Sequence, residues 1–258
     1  MNNENFLGAK LKVKRAKTHI QELNKHIEDY LKSQPIKVVV EKDPNSPNYN
    51  WTLRVKHDVP LCFAAIIGDI IHNLRASLDL LATELVAKSD GNPKHVYFPF
   101  ANDENSLDEM INKRHIDRAG DKAIALIKSL KPYKGGNDLL RALHDLDIID
   151  KHRSLIPVAH YAGIKYFQIV NASGPILTIK DMHCGPIRDG MILMRMPPAN
   201  NVKVGQSFEP VIKLTLDKEV IGNDDELIQL LNSIVTMIEE IISMFEEHLE
   251  AQSGEQSS

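Results

Sequence analysis

The segment "GDIIHNLRASLDLLATELV", residues 68–86, places a histidine, an arginine and an aspartate beside a row of apolar residues. The apolar residues recur at helical spacing, which predicts an amphipathic helix. His72 and Arg75 are three residues apart, and Arg75 and Asp79 are four apart, so the three side chains are neighbours on the helix surface. A histidine beside a carboxylate transfers protons near neutral pH, and an arginine can hold a phosphate or a developing oxyanion.

A second charged segment, "RALHDLDIIDKHR", covers residues 141–153. Helical spacing puts Asp150 in the middle of the apolar face formed by Leu139, Leu143 and Leu146. A buried carboxylate without a partner is costly, so it needs a counter-charge or a proton. We expect Arg75 to supply that charge through a bidentate contact, which would bring the two helices together.

These two segments define the predicted site. The candidate catalytic residues are His72, Arg75, Asp79, Asp150 and His152, and the candidate substrate-binding residues are Asn73, Lys151 and Arg153. In a cleavage of RNA without metal, His152 or His72 would be the general base for a ribose 2′-hydroxyl. Arg75 would stabilise charge at phosphorus, and Asp79 or Asp150 would orient the histidine. This chemistry requires no cofactor.

Two alternatives stay open. Charged pairs between packed helices often only fix their register, so the Arg75–Asp150 network could belong to a non-catalytic interaction module. Such a module could contact a protein partner through the basic N-terminal helix. Alternatively, Asp69, His72, His144 and Asp147 could hold a divalent metal in a hydrolase, although their spacing matches no zinc signature.

The surrounding pattern predicts a single α+β domain over residues 1–250, followed by a disordered tail at 251–258. Helical spacing indicates a helical core at about 1–33, 60–153 and 223–250. Residues 36–58 read as a β-hairpin, and short β-like runs continue through 155–217. We therefore expect a helical bundle with an N-terminal hairpin and a C-terminal antiparallel β layer, closed by a long last helix.

Composition excludes several classes of protein. The 258 residues carry a net charge of −4, so no overall positive field draws the chain to nucleic acid or acidic lipid. Two cysteines are too few for a disulfide framework, and no G-x-S-x-G, P-loop or G-x-G-x-x-G motif occurs. No signal peptide or long apolar span is evident, so we expect a cytoplasmic protein that does not bind membranes. Positive charge is concentrated near the start, in "KLKVKRAKTH", and negative charge near the end, in "EEIISMFEEHLE".

Four motifs in order carry a resemblance. "HNLRASLDLL", "VYFPF", "LKPY" and "LHDLDIIDKHR" resemble the HNLR-x-x-LD-x-L, Phe-Pro, Pro-Tyr and DKHR pattern of an uncharacterised bacterial family, over roughly residues 60–160. More distantly, the helical motif is similar to HEPN domains. Those domains are helical bundles, often dimeric, and many are metal-independent ribonucleases or partners of nucleotidyltransferases.

The resemblance implies a HEPN-like bundle, RNA or a nucleotide as ligand, a homodimer, and a role as an accessory or defence protein. HEPN ribonucleases use an arginine followed a few residues later by a histidine on the same helix. Here the position directly after the Leu-Asp pair, where some members of the bacterial family carry a histidine, is Leu80. His72 or His152 would therefore have to provide the imidazole.

Overall fold

The computed structural model describes residues 5–153, 158–171, 174–196, 203–204, 210–216 and 226–256. Within them the chain has an α+β fold with six α-helices, one 3-10 turn and seven strands. The elements in chain order are α1 (Leu7–Lys32), β1 (Ile36–Lys42), β2 (Tyr49–Val55), α2 (Cys62–Lys88), α3 (Leu107–Lys113), the 3-10 turn (Ile116–Ala119), α4 (Asp121–Ser129), α5 (Asp138–Arg153), β3 (Val158–Asn171), β4 (Gly174–Pro186), β5 (Ile192–Met196), β6 (Lys203–Val204), β7 (Pro210–Leu216) and α6 (Leu227–Gln256).

The helices α1 and α2 precede and follow the β1–β2 hairpin in the chain. They pack antiparallel against each other. Near one end the Phe6 backbone N–H donates to Glu84 at 2.7 Å, and near the other Tyr30 packs edge-on against Phe63. Because α1 ends at Lys32 and a seven-residue strand follows at once, the hairpin reverses the chain and returns α2 along α1.

The predicted apolar face of α2 forms the centre of the core. Its side chains are all buried, namely Ile67, Ile70, Ile71, Leu74, Leu78, Leu81 and Leu85. The apolar side of α6 joins the same cluster, as do Leu214 and Leu216 of β7. Burying about seven such side chains contributes roughly 1.5–3 kcal/mol each, so this face sets the position of the polar residues on the other sides of α2.

The basic start and acidic end of the chain lie against each other. Lys10 pairs with Glu246 at 2.7 Å, and Lys17 pairs with Glu239 at 2.5 Å, each across the contact between α1 and α6. Part of the positive charge expected to face a protein partner is therefore compensated inside the molecule.

By length and composition, residues 227–251 of α6 could cross a membrane. Their apolar side chains, however, lie in the core with α1 and α2. That placement is typical of the core helix of a soluble protein.

Two antiparallel sheets flank the bundle. The hairpin β1–β2 is extended by β5, which gives the order β1-β2-β5. In the second sheet, the long strand β3 pairs with β4 on one edge and with β7 and β6 on the other. The expectation that residues 191–196 belong to the C-terminal layer is thus wrong, because β5 pairs with the N-terminal hairpin.

The C-terminal boundary also differs from the prediction. The last helix continues to Gln256, whereas residues 251–258 were expected to be disordered. The predicted start of this helix near Asn223 lies outside the described residues, and the described helix begins at Leu227.

Candidate functional site

The predicted site lies where α2 and α5 pack antiparallel. Gly68 of α2 lies against Asp150 of α5, and one turn along α2 His72 faces Asp147. We call this contact, from Gly68 to Asp79 on α2 and from Arg141 to His152 on α5, the α2–α5 seam. It divides into an exposed end around His72 and a buried end around Arg75.

At the exposed end, His72 lies beside a buried carboxylate. The His72 side chain is 55% exposed, and its Nδ1 lies 3.5 Å from Oδ1 of Asp147, whose side chain is 6% exposed. Lys151 donates to the other Asp147 oxygen at 2.6 Å. Asp147 is thus fixed by its i,i+4 neighbour and holds Nδ1 of His72 toward the protein, which leaves Nε2 for solvent or substrate.

Asp150 differs from the other acidic groups of the seam. Among the described residues it has no cationic partner within ion-pair distance, whereas Asp79, Asp145 and Asp147 each have one. Burial, followed by the negative charges of Asp147 and Asp69, raises the pKa of Asp150, and the neighbouring His72 and Lys151 act in the opposite direction. The Asp150 carboxyl group therefore holds a proton more readily than an ordinary aspartate does.

At the buried end, Arg75 pairs within its own helix. Its Nη1 lies 2.7 Å from Oδ1 of Asp79, and its side chain is 11% exposed. The guanidinium carbon lies 4.7 Å from the ring centroid of Phe100, a cation–π distance. Nε and Nη1 have no hydrogen-bond acceptor in good alignment within the described structure, so the contact with Asp79 is an ion pair.

His144 completes the buried end. Its ring stacks on Phe100 at 4.3 Å with an angle of 6° between the planes, and Nδ1 has no hydrogen-bond partner in the part of the chain described here. Burial, followed by the positive charges of Arg75 and Arg141, lowers the pKa of His144 to about 4. At neutral pH this histidine is uncharged, and its ring packs against Phe100 as an aromatic side chain would.

An extended segment, residues 96–101, runs along α2 and ties the buried end together. Thr83 donates to the Val96 carbonyl at 3.4 Å, and Asp79 accepts the Phe98 N–H at 2.9 Å. Because two extended residues span about 6.6 Å and four helical residues about 6 Å, residues 96, 98 and 100 meet successive turns of α2. We call this stretch the 96–101 segment.

The C-terminal end of the 96–101 segment, at Ala101, is held by α5 and by the loop that contains Pro132. Arg141 of α5 donates to the Ala101 carbonyl at 2.9 Å, and the Ala101 N–H donates to Pro132. The same arginine makes a two-pronged contact with Asp145. The four motifs noted in the sequence therefore meet around the 96–101 segment.

The structure corrects one central expectation. Arg75 pairs with Asp79 and not with Asp150, whose carboxyl group lies at Gly68, seven residues earlier on α2. That offset is about 10 Å along the helix axis. The i,i+4 partner on the same helix takes the guanidinium, so the predicted Arg75–Asp150 network does not form.

The remaining predicted residues lie along the seam or at its end. Asn73 accepts a hydrogen bond from Lys12 of α1 at 3.2 Å, and His152 is exposed in the last turn of α5. Arg153 ends α5, and its side chain lies outside the described part. Both residues belong to the helix, which ends at Arg153.

Several residues of the seam were missed or misassigned by sequence reasoning. Asp147 was considered only as a metal ligand, and Phe100, Arg141 and Lys12 were not among the predicted site residues. The four-residue spacing of Asp147 and Lys151, and of Arg141 and Asp145, was a local signal that could have identified both pairs.

Among the described residues, no group of three or more His, Cys, Asp and Glu side chains is arranged to hold a metal ion. The alternative set Asp69, His72, His144 and Asp147 divides between the two ends, because His144 stacks on Phe100 while Asp147 faces His72. The metal-dependent alternative thus lacks a ligand set here.

Two surface clefts lie on other parts of the molecule. One lies between the start of α5 and α6, beside Asn137, Gln229 and Ser233. The other lies between α1 and α6, beside Lys10 and Glu246. Neither includes a residue of the α2–α5 seam, so the seam is an open surface around His72 and not part of either cleft.

Comparison of the chain with protein-family models, with curated proteins and with solved structures gives no match.

Proposed function

We propose that this protein is an intracellular bacterial accessory or defence protein with a HEPN-like helical bundle, and that it binds RNA or a nucleotide phosphate and cleaves RNA without metal. One observation carries the proposal. The exposed His72 imidazole faces the buried Asp147 carboxylate through Nδ1, at 3.5 Å. A carboxylate in that position favours the tautomer with a proton on Nδ1, which makes Nε2 the base.

The proposed reaction is transfer of the phosphodiester to the neighbouring 2′-oxygen. His72 Nε2 takes the proton of the ribose 2′-hydroxyl, the new O2′–P bond forms, and the P–O5′ bond breaks. The products are a 2′,3′-cyclic phosphate and a 5′-hydroxyl, which needs a proton from a second acid. Asp150, whose pKa is raised, or the exposed His152 could donate it.

The roles of the other residues follow from their exposure. Lys151 and Lys12 are the cations near His72, through Asp147 and Asn73 respectively, and could contact phosphate. Arg75 is largely buried against Phe100, so in this proposal it positions the 96–101 segment and does not touch phosphorus. The distance from His72 to Asp147 exceeds a hydrogen bond, as is common before substrate binds.

The test is cleavage of a fluorophore-labelled single-stranded RNA in the presence of EDTA. We expect cleavage that requires a 2′-hydroxyl, leaves a 2′,3′-cyclic phosphate and is lost in His72→Ala. The matched control is His26→Ala, because His26 is also an exposed helical histidine with a carboxylate neighbour, Glu22 at 3.9 Å. Cleavage retained by His72→Ala, or absent from the wild-type protein, would contradict the proposal.

A second candidate function is a non-catalytic interaction module, which the buried end favours. The pair of Arg75 and Asp79 fixes the 96–101 segment from within, and such an internal network needs no chemistry. In this alternative His72 is a surface residue without a catalytic role. The RNA experiment separates the two, because the module leaves the labelled RNA intact.

A further inference from the structure

Positive charge gathers where the loop before α3 meets the end of α3 and the 3-10 turn that follows it. The Tyr97 N–H donates to the Arg114 carbonyl at 3.1 Å, and Arg118 donates to the Asn92 carbonyl at 3.0 Å. These bonds bring together Lys94, Tyr97, Lys113, Arg114 and Arg118, which we call the Tyr97 surface. The loops are therefore held as one surface, although about twenty residues separate them in sequence.

The charges of the Tyr97 surface are not neutralised by carboxylates. Within the described structure, Lys94, Lys113, Arg114 and Arg118 have no carboxylate within ion-pair distance, whereas Lys10 and Lys17 of α1 pair with α6. Within residues 94–97 and 113–118 the acidic residue is Asp117, and Asp90 lies four residues before Lys94. The surface therefore offers a net positive charge to an anionic ligand, +3 within residues 94–97 and 113–118 and +2 when Asp90 is counted as well.

Tyr97 offers an exposed aromatic ring among these cations. It is 44% exposed, and the Arg114 guanidinium carbon lies 5.6 Å from its ring centroid. Its neighbours Val96 and Phe98 are buried against α2, so Tyr97 projects away from that helix. The 96–101 segment is fixed at both ends, which presents the ring without further ordering.

Two residues beside the Tyr97 surface have a left-handed backbone conformation. His95 and His115, which flank Tyr97 and Arg114, have φ angles of 63° and 59°, in the left-handed region that non-glycine residues seldom adopt. Such conformations persist where the surrounding structure holds them, and they cluster at functional surfaces. The same conformation occurs at Asp90 in the loop before α3 and, elsewhere, at Phe6, Gln34 and Lys131, so the proposal depends on the charge and the exposed ring and not on this feature.

We propose that the Tyr97 surface binds single-stranded RNA, with a base stacked on the Tyr97 ring and backbone phosphates on Lys94, Lys113 and Arg118. The choice of RNA rests on the proposed function. An aromatic platform within a row of cations suits single-stranded nucleic acid, because every base has a face that can stack. It also supplies affinity that the seam lacks, since the Asp69 carboxylate, one turn before His72 on α2, repels phosphate.

The two sites could hold one strand. Val96 and Phe98, on either side of Tyr97, meet Thr83 and Asp79 of α2. His72 precedes those residues by seven to eleven positions, or about 10–16 Å along the helix axis. A short oligonucleotide can therefore reach from the Tyr97 surface to the seam.

The experiment measures the fluorescence anisotropy of a 5′-labelled twelve-nucleotide oligouridylate with the His72→Ala protein, so that cleavage plays no part. We expect Tyr97→Ala to weaken binding by about 5- to 150-fold, the range measured for loss of one stacked base, and Tyr97→Phe to restore it. Tyr49→Ala is the matched control, since Tyr49 is 41% exposed but lies on β2. The melting temperature confirms that each variant is folded.

The double variant Lys94→Gln/Lys113→Gln tests the contribution of charge. Its control is the double variant Lys14→Gln/Lys25→Gln, which removes the same number of charges from α1. The first pair should reduce the slope of log K against log salt by about 1.4, from roughly 0.7 per phosphate on single strands, and the control pair should not. Unchanged binding by Tyr97→Ala, equal losses in test and control variants, or binding to phosphatidylserine vesicles in place of RNA would overturn the proposal. Loss of binding in Tyr97→Ala would support it even if His72 proved to have no role in cleavage.

Discussion

The carboxyl group of Asp150 occupies the space that a Cβ atom on Gly68 would need. An ideal Cβ at Gly68 would lie 2.6 Å from Oδ1 and 2.8 Å from Oδ2 of Asp150. Glycine inside a helix costs about 1 kcal/mol relative to alanine, and here its lack of a side chain lets a partly buried acid lie directly on the α2 backbone. This contact gives the seam an acid that, among the residues the structure describes, has no cation within ion-pair distance.

Replacing Gly68 with alanine should displace this acid more than it should unfold the protein. Alanine at position 68 gains about 1 kcal/mol of helix propensity over glycine. This offsets the roughly 0.5–1.5 kcal/mol that Asp150 loses when its side chain leaves its rotamer. We expect a change of less than about 1 kcal/mol in the free energy of unfolding and a pKa of Asp150 closer to that of an exposed aspartate. Urea unfolding and carboxyl NMR titration measure these two quantities, and a loss above about 3 kcal/mol would show that Asp150 cannot move.

Asp150→Asn should stabilise the protein at neutral pH. Burial raises the pKa of Asp150 in the folded state above its ordinary value of 3.8, so the folded state binds the proton more readily than the unfolded state. Stability therefore falls as pH rises from about 3.8 through the folded pKa, and it stays lower above that pH. Urea unfolding should show a larger advantage for Asp150→Asn at pH 7.5 than at pH 4.5, and a constant or reversed difference would contradict the burial of this acid.

His144→Phe should make the protein more resistant to acid. The pKa of His144 falls from 6.5 to about 4 on folding, so the unfolded state gains a proton that the folded state refuses as pH drops from 6.5 toward 4. Phenylalanine keeps the stacking on Phe100 and removes this proton uptake. Relative to the wild type, the free energy of unfolding of the variant should increase by about 1–2 kcal/mol as the pH falls from 7 to 4.5. This is less than the whole pKa shift would give, because His144 is partly exposed.

The measurement for His144→Phe is the midpoint of urea unfolding at each pH. His19→Phe is not a suitable control, because that histidine contacts Glu22. His95→Asn is preferable, because His95 is exposed and asparagine tolerates its positive φ. Parallel pH curves for His144→Phe and the wild type would show that the ring titrates normally.

Arg75→Ala should destabilise the protein far more than Arg54→Ala. Arg75 is largely buried against Phe100 and Asp79, and removal of one member of a buried pair costs about 3–5 kcal/mol. Asp79 is partly exposed and still accepts the Phe98 N–H, so we expect about 2–4 kcal/mol. Arg54 pairs with Glu41 on the exposed hairpin, where such pairs contribute about 0.2–1 kcal/mol.

Chemical unfolding of both arginine variants provides the comparison. Similar small losses would mean that Arg75 is not structural, and would return it to the candidate catalytic residues. Arg75→Lys should recover little, because an ammonium group cannot cover the Phe100 ring as the planar guanidinium does.

Local periodicity accounts for what the sequence could predict. The apolar residues of α2 repeat at helical spacing, and the repeat itself determines which face is buried, so that face was correctly identified from Ile67 to Leu85. The hairpin was predictable for the same reason, since the alternating strands and the turn-rich loop "DPNSPNYN" lie within one short stretch.

Contacts between distant elements account for what it could not predict. The pairing of Arg75 depends on the offset between α2 and α5, and that offset is set by the contact of Gly68 with Asp150, not by the spacing within either helix. The strand pattern of residues 191–196 was correct, but a strand pattern does not specify its partner. Likewise, the opposite charges at the two ends of the chain were visible in the sequence, but the pairing of Lys10 with Glu246 and of Lys17 with Glu239 was not.

The match between the 96–101 segment and α2 fixes the length of that segment. One extra residue between Val96 and Tyr97 would move Tyr97 into the place of Phe98, so the Tyr97 phenol would be buried against α2 and the Phe98 ring would turn outward. The loop that follows, residues 102–106, is closed by hydrogen bonds between Asp103 and Ser106 within itself, so it could absorb the same insertion without a change of register along α2. In this protein a stretch without regular secondary structure is therefore as sensitive to insertion as the helix beside it.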